Sequence, residues 1–226
     1  MSSRSGATPS WGDGEPPAEG GAESTPRAGS IAVSADQRIL EAAEQLFFER
    51  SFDGVAVDDI GRAAGMSGSA IYRHFPGKDA ILAALFNRML DDLLLTSGHR
   101  DDDPDAELDE LLRAFAKLAI SNERLAAIWV REQRSLAPDY RREHSRRLRR
   151  YSDRWAEVLG RCHPARTHEE LTVASRGVQM LMLSEALRPP GARRTAATSE
   201  LLLEMARASL ATLAPSSREV EPATSS

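Results

Sequence analysis

Hydrophobic positions in this chain recur every three or four residues almost throughout, the period of helices that bury one face. Ile39, Leu40, Ala43, Leu46 and Phe47 form the first stripe, which stops before Ser51-Phe52-Asp53-Gly54. Val57, Ile60 and Ala64 form a second and Ile71 with Phe75 a third, after which Pro76-Gly77 breaks the chain. A longer stripe through Ile81, Leu82, Leu85, Phe86, Met89, Leu90 and Leu93 predicts a helix over about 78–95. Residues 96–104 are polar and acidic and mark a boundary. Beyond it Leu108, Leu111, Leu112, Phe115 and Leu118 share one helix, and Leu125, Ile128, Trp129 and Val130 a shorter one. Pro138 opens a helix whose stripe is Leu148, Tyr151, Trp155 and Val158. Segments 167–187 and 198–213 close the pattern, separated by a turn at Arg188-Pro189-Pro190-Gly191. No stretch alternates with period two. The chain is expected to be all-α, about nine helices, with a three-helix head at 35–85 and a larger helical domain at 86–214.

Within the head, residues 57–75 read as two short helices joined by a tight turn. Gly65 suits the left-handed conformation that stops a helix, and Ser67 is a natural N-cap for the next one. Helix, short turn, helix is the arrangement that places a second helix in the DNA major groove. On a helical wheel Ile71 and Phe75 point inward with Ala70 beside them, while Ser69, Tyr72 and Arg73 point outward. Small residues at Gly68 and Ser69 allow close approach to a groove. Tyr72 offers a ring for a thymine methyl and a hydroxyl for a phosphate, and Arg73 suits phosphate or a guanine edge. His74 fits a phosphate or a local bond, and Lys78 is placed as an outlying phosphate clamp. The same pattern also suits two core helices of an ordinary bundle, with Tyr72 at a rim and Arg73 in solvent.

Charge complicates the DNA reading. The net charge is −5, and residues 35–95 hold six basic residues (Arg38, Arg50, Arg62, Arg73, Lys78, Arg88) against ten acidic ones. Binding to phosphates then requires the basic groups to cluster on one face. Residues 1–34 are rich in Ser, Gly, Pro and Glu and are expected to form a disordered tail, as is 215–226. An arm reaching into a groove would need more than Arg4 and Arg27. No apolar run reaches 18 residues and no h-region follows Met1, so neither a membrane span nor a signal peptide is expected. The single Cys162 excludes an internal disulfide and suits a reducing cytoplasm.

The run Ala42-Ala43-Glu44-Gln45-Leu46-Phe47, then Gly54, then 57–67, then Ala70-Ile71-Tyr72-Arg73-His74-Phe75-Pro76-Gly77-Lys78-Asp79 resembles the N-terminal domain of the TetR/AcrR transcriptional regulators. The likeness covers about 36–85, and Tyr-x-His-Phe-x-x-Lys is its most specific part. The resemblance implies an all-helical homodimer, a palindromic double-stranded DNA operator and a small-molecule effector that releases a repressor. Family contacts map to Ser67, Ser69, Tyr72, His74 and Lys78. Many relatives carry hydroxyl residues before the second helix; Val55 and Ala56 stand here instead. That cap contact is expected to be lost, leaving Asp58 and Asp59 to favour the helix dipole.

The larger domain is less legible. Nine arginines between Arg131 and Arg154, among them Arg141 and Arg147, fit either a solvated helix face or a mouth for an anionic ligand. An acyl-CoA would place its chain among Phe115, Leu118, Leu125, Trp129, Tyr151 and Trp155, and the Arg-rich helix is similar to TetR-type regulators of fatty-acid and sterol breakdown. A purely apolar site for a neutral effector is the alternative. Wide apolar faces on the last two helices point to a partner copy, with Val178, Leu181, Met182, Leu202, Met205 and Leu210 as expected interface residues. Cys162-His163 and His168-Glu169 lack the spacing of a zinc site, and no GxSxG or phosphate-cradling Gly-rich loop occurs. No enzyme, cofactor or metal is expected.

Overall fold

The structure, a computed structural model, describes residues 34–96, 98, 100–188 and 197–214. Apart from Ser34, the expected tails and residues 189–191 of the expected turn lie outside these residues. Among the described residues there are nine α-helices and no strand: α1 Ala35–Arg50, α2 Val57–Ala63, α3 Gly68–Ile71, α4 Lys78–Thr96, α5 Pro104–Ser121, α6 Glu123–Glu132, α7 Pro138–Cys162, α8 His168–Leu183 and α9 Ala197–Ala211. Short 3-10 turns extend α6 at Gln133–Ser135 and α8 at Ser184–Leu187. No described helix is long and apolar enough to cross a membrane.

Local chemistry explains the element ends. Ser34 caps α1 by accepting from Gln37 N at 3.1 Å. Gly65 sits at φ +69°, so Met66 N reaches Gly61 O at 2.8 Å and Gly65 N reaches Arg62 O at 3.3 Å, the paired bonds of a Schellman stop. Asp103 caps α5 ahead of Pro104, and Thr167 with Glu170 forms a reciprocal capping box on α8. Ala56 cannot cap α2, as expected. Asp59 supplies half of a box instead: its Oδ2 accepts from Ala56 N at 3.2 Å.

The head is α1–α3 on the first half of α4, with Ile39, Phe47, Ile60, Ile71, Ile81 and Leu85 fully buried among them. Helix α6 lies along α1 and α4, and α7 packs against α4, α5 and α8, so the two domains share one continuous core. Several polar contacts tie them together. Glu132 Oε1 accepts from Phe52 N at 3.3 Å while its other oxygen accepts from Ser135 Oγ at 2.8 Å. Arg131 donates to Phe48 O at 3.0 Å and lies 5.5 Å from the Phe48 ring centre.

Candidate nucleic-acid interface and effector cavity

The second helix of the reading unit is shorter than expected. Regular α-helix covers Gly68–Ile71, and the backbone then tightens through Arg73 N to Ala70 O and His74 N to Ile71 O before Phe75 N closes on Ile71 O. The inward and outward sides hold nonetheless. Ala70 and Ile71 are buried and Phe75 packs against the core, while Ser67, Ser69, Tyr72 and Arg73 are exposed, Tyr72 at 57%. Ser67 Oγ accepts from Ala70 N at 3.2 Å and lies 3.0 Å from Ser69 Oγ. Gly61 gives α2 and α3 their close approach: a Cβ there would stand 3.1 Å from Gly68 N and from Met66 O. At Gly68 a Cβ would collide with the Asp58 carboxylate, so this glycine serves the packing of α2 on α3 as well as the outer surface.

His74 and Lys78 are placed differently from a pair of free phosphate ligands. His74 Nδ1 is 2.6 Å from Asp36 Oδ1, which pins the ring to the start of α1. Lys78 Nζ donates to Phe52 O at 2.8 Å and Val55 O at 3.0 Å and sits 4.3 Å from the Phe52 ring centre. Expected as an outlying clamp, Lys78 is a strut, because those two carbonyls lie in the loop after α1, where no helix supplies their donors. It still shares with Tyr72, Gly54 and Ala56 an open groove of about 590 Å³. Several acidic groups of the head are internally engaged. Asp36 holds His74, Glu44 pairs with Arg88 at 2.8 Å, and Asp59 pairs with Arg62 at 3.0 Å. The Ala56 amide first, then Arg62, holds the Asp59 carboxyl below its ordinary range.

In the larger domain α4, α5, α6, α7 and α8 close on a cavity of about 10 Å³, room for no more than one water. Four of the residues expected at a ligand site, Phe115, Leu118, Trp129 and Tyr151, line it together with Met89, Leu93, Leu148, Gln179 and Leu183. Trp155 backs the wall, 6.1 Å from Phe115 and 6.3 Å from Tyr151 between ring centres. Leu125 is buried but not in the lining. Arg141 and Arg147, the arginines expected at an anionic mouth, are both internally bonded. Arg141 donates to Leu136 O and Arg134 O, capping the chain ahead of α7; Arg147 is held by Asn87 and Asp91 on α4; Arg154 and Arg161 converge on buried Glu107. These guanidiniums tie α7 to its neighbours, and none of them is in the lining of this cavity.

Gln179 and His144 escaped the sequence reading. Gln179 donates to Ser175 Oγ at 3.0 Å inside α8. Trp129 Nε1 donates to His144 Nε2 at 3.2 Å, and burial, then the nearby Arg147, pushes the His144 pKa down to about 4. His144 lies four residues before Leu148 and seven before Tyr151, so extending the α7 stripe by one turn would have found it. Cys162 is half-buried, its thiol pushed up to about 12 by burial and then by Asp105.

The expected interface residues divide. Val178, Met182, Leu202 and Leu210 belong to the protomer's own core, each at most 6% exposed, because α8 and α9 bury those faces against α5, α7 and each other. Leu181 is half-buried and Met205 is exposed. The outer apolar face consists of Val173 and Met180 on α8 and Leu201 and Met205 on α9, with Gly177 between the first two. A sequence stripe alone does not say which of two apolar faces is inside.

Two family models match the chain. The one describing bacterial regulatory proteins of the tetR family covers residues 39–85, and the one describing the tetracyclin repressor-like C-terminal domain covers 101–186. The chain is 36% identical over 72 residues to the HTH-type transcriptional regulator EthR of Mycobacterium tuberculosis, a match to 30% of this chain and 33% of EthR. The first curated relatives are matched over only 27–33% of their length. Among solved structures, PfmR of Thermus thermophilus is 25% identical with a TM-score of 0.63, covering 78% of this chain and 96% of PfmR. AibR, solved with isovaleryl coenzyme A and operator DNA, is 21% identical with a TM-score of 0.65, over 76% of this chain and 96% of AibR. That likeness shows a shared fold.

Proposed function

Because the chain belongs to the TetR family of bacterial regulatory proteins, we propose that it is a homodimeric, effector-released transcriptional repressor that binds a palindromic DNA operator in the cytoplasm. The observation that carries this reading is the exposed row Ser67, Ser69, Tyr72 and Arg73 along α3 and the turns that flank it, held from behind by Ile71 and Phe75. Such a row offers hydroxyls and a guanidinium to phosphates and base edges while its packing fixes their direction. With few cations per head, a single head binds weakly, and two linked heads on two half-sites bind far more tightly. The exposed Val173, Met180, Leu201 and Met205 support a two-fold pairing of α8 and α9 with their copies.

The effector would enter among Phe115, Trp129 and Tyr151. The internal pairing of Arg141, Arg147 and Arg154 favours a neutral apolar molecule over an acyl-CoA, whose phosphates would have to compete with carbonyls and carboxylates already bound. Movement at α6 would reach the head through Glu132 and Arg131.

Selection of DNA by the purified chain, followed by shift assays on the selected site, tests the regulator reading. The expected product is a palindrome, and Tyr72→Ala should weaken binding about tenfold or more without loss of helicity. Failure to select any site, or full affinity in Tyr72→Ala, would overturn it. Light scattering tests the dimer: Met205→Glu should yield the 24.7 kDa monomer from a wild-type dimer.

A further inference from the structure

Two buried hydrogen-bond donors flank the closed cavity. His144, Leu148, Tyr151 and Trp155 form one stripe of α7, spaced by four, three and four residues and spanning about 16 Å along the helix. Leu148 and Tyr151, in the middle, line the cavity. His144 and Trp155 end the stripe at 6% and 0% exposure. An indole can only donate, so the Trp129 bond makes His144 Nε2 the acceptor and leaves the proton of the neutral ring on Nδ1. That Nδ1 has no acceptor among the described residues. Trp155 Nε1 has no acceptor in good hydrogen-bond geometry, the Tyr151 phenol beside it offering only a weak polar contact. Folded interiors rarely strand such groups, and a stranded donor invites an acceptor.

The remaining chemistry of the wall narrows what that acceptor is. No side chain lining the cavity is charged. Arg147, the cation beside His144, is held by Asn87 and Asp91. A carboxylate here would lose its hydration with no free cation to replace it. A pure hydrocarbon would leave both N–H groups stranded. We propose that this cavity opens around a neutral, mainly apolar effector bearing a carbonyl or ether oxygen, and that this oxygen accepts from His144 Nδ1 or Trp155 Nε1. The inference rests on reading this domain as the effector-binding one. Opening needs side-chain displacement, for which unbranched Met89 and the half-buried Leu148 are suited.

Three probes of one skeleton separate the chemistries: 4-phenyl-2-butanone, (3-methylbutyl)benzene and 3-phenylpropanoate. Each is titrated calorimetrically into the full chain, with thermal unfolding alongside. The ketone should bind about threefold to tenfold more tightly than the hydrocarbon, the worth of one neutral hydrogen bond, and the carboxylate least. Trp155→Phe, and His144→Phe made together with Trp129→Phe so that the Trp129 indole is not freed as a new donor, fill the space without an N–H. One of them should bring ketone and hydrocarbon to equal affinity while hydrocarbon binding persists, which also shows that the variant pocket is intact. The proposal is overturned if the hydrocarbon equals the ketone in wild type, if the ketone preference survives in both variants, if the carboxylate binds best, or if no probe binds. Operator binding without any probe is a separate readout: its loss would overturn the regulator reading and leave the probe result standing.

Discussion

Glu107 is the side chain whose replacement tests the architecture of the larger domain most sharply. It is 1% exposed, accepts from both Arg154 and Arg161 on α7, and also accepts from Asp101 N at 3.2 Å. Arg161 continues the link by donating to Asp101 O at 2.7 Å, so the carboxylate joins α5, α7 and the residues ahead of α5. Neutralising one member of a buried ion pair costs about 3–5 kcal/mol, although here Arg154 also faces Glu157 at 3.4 Å and Arg161 the carbonyls of Asp101 and Asp102. The Arg154 and Arg161 side chains keep 16% and 24% exposure, and glutamine retains an acceptor oxygen. Glu107→Gln should therefore fall at the low end, about 3 kcal/mol, or roughly 6–12 °C in melting temperature for a chain of this size. Urea unfolding at pH 7 measures it, at one fixed protomer concentration because dimerisation adds to apparent stability. The pH dependence supplies a second check. Burial pushes the Glu107 carboxyl upward, but the Asp101 amide and the two arginines outweigh it and hold the group below its ordinary 4.5. A folded-state value below the unfolded one means that the stabilisation is complete above about pH 4.5 and is lost as pH falls through the folded value. Wild type and variant should therefore converge on acidification. A difference under about 1 kcal/mol at pH 7, the range of exposed pairs, or one that widens below about pH 5, would refute the reading.

Three other outcomes are expected. Lys78→Met should cost about 1–3 kcal/mol and raise amide exchange over residues 52–57, since Val55 O loses its donor and Phe52 O keeps only the Val55 amide at 3.3 Å. Ser51 closes α1 at φ 63° and ψ 165°, a region suited to glycine, so Ser51→Gly should raise stability by about 1 kcal/mol in thermal unfolding. His144, whose pKa burial and then Arg147 depress from 6.5 to about 4, binds its proton more readily in the unfolded chain. Wild type should thus lose about 1–3 kcal/mol as pH falls from 6.5 towards 4, and His144→Phe should flatten that limb of the stability profile.

Periodicity carried most of the fold into the sequence. A helix buries one stripe, so Ile39 to Phe47 or Ile81 to Leu93 announce both an element and its inner face. Helix ends were equally local: Gly65 takes a positive φ, Ser67 caps, and Pro138 opens a helix without needing an amide partner, as Pro104 does at the end of the stretch expected only as a loop. The outward row of the reading head was legible for the same reason, since Ile71 and Phe75 fix which way Tyr72 and Arg73 point.

The fates of charged and doubly apolar surfaces were not local. Arg141, Arg147 and Arg154 look alike in sequence, yet one caps carbonyls, one pairs with α4 and one joins a buried carboxylate, since each finds the partner that folding brings within reach. Lys78 turns inward because two carbonyls more than twenty residues earlier in sequence meet it there. On α8 and α9 both faces carry leucine, valine or methionine, and only the packing of α5 and α7 decides that Val178 and Leu210 lie inside while Met180 and Met205 lie outside. Most helices, the stop at Gly65, the cap at Ser67 and the outward face of the reading head depend on neighbours within a turn, and so are written locally in the chain. Which cations are already engaged, which apolar face stays exposed, and which buried donors flank the cavity each depend on what another helix brings to the same place, and so appear only once the helices are packed.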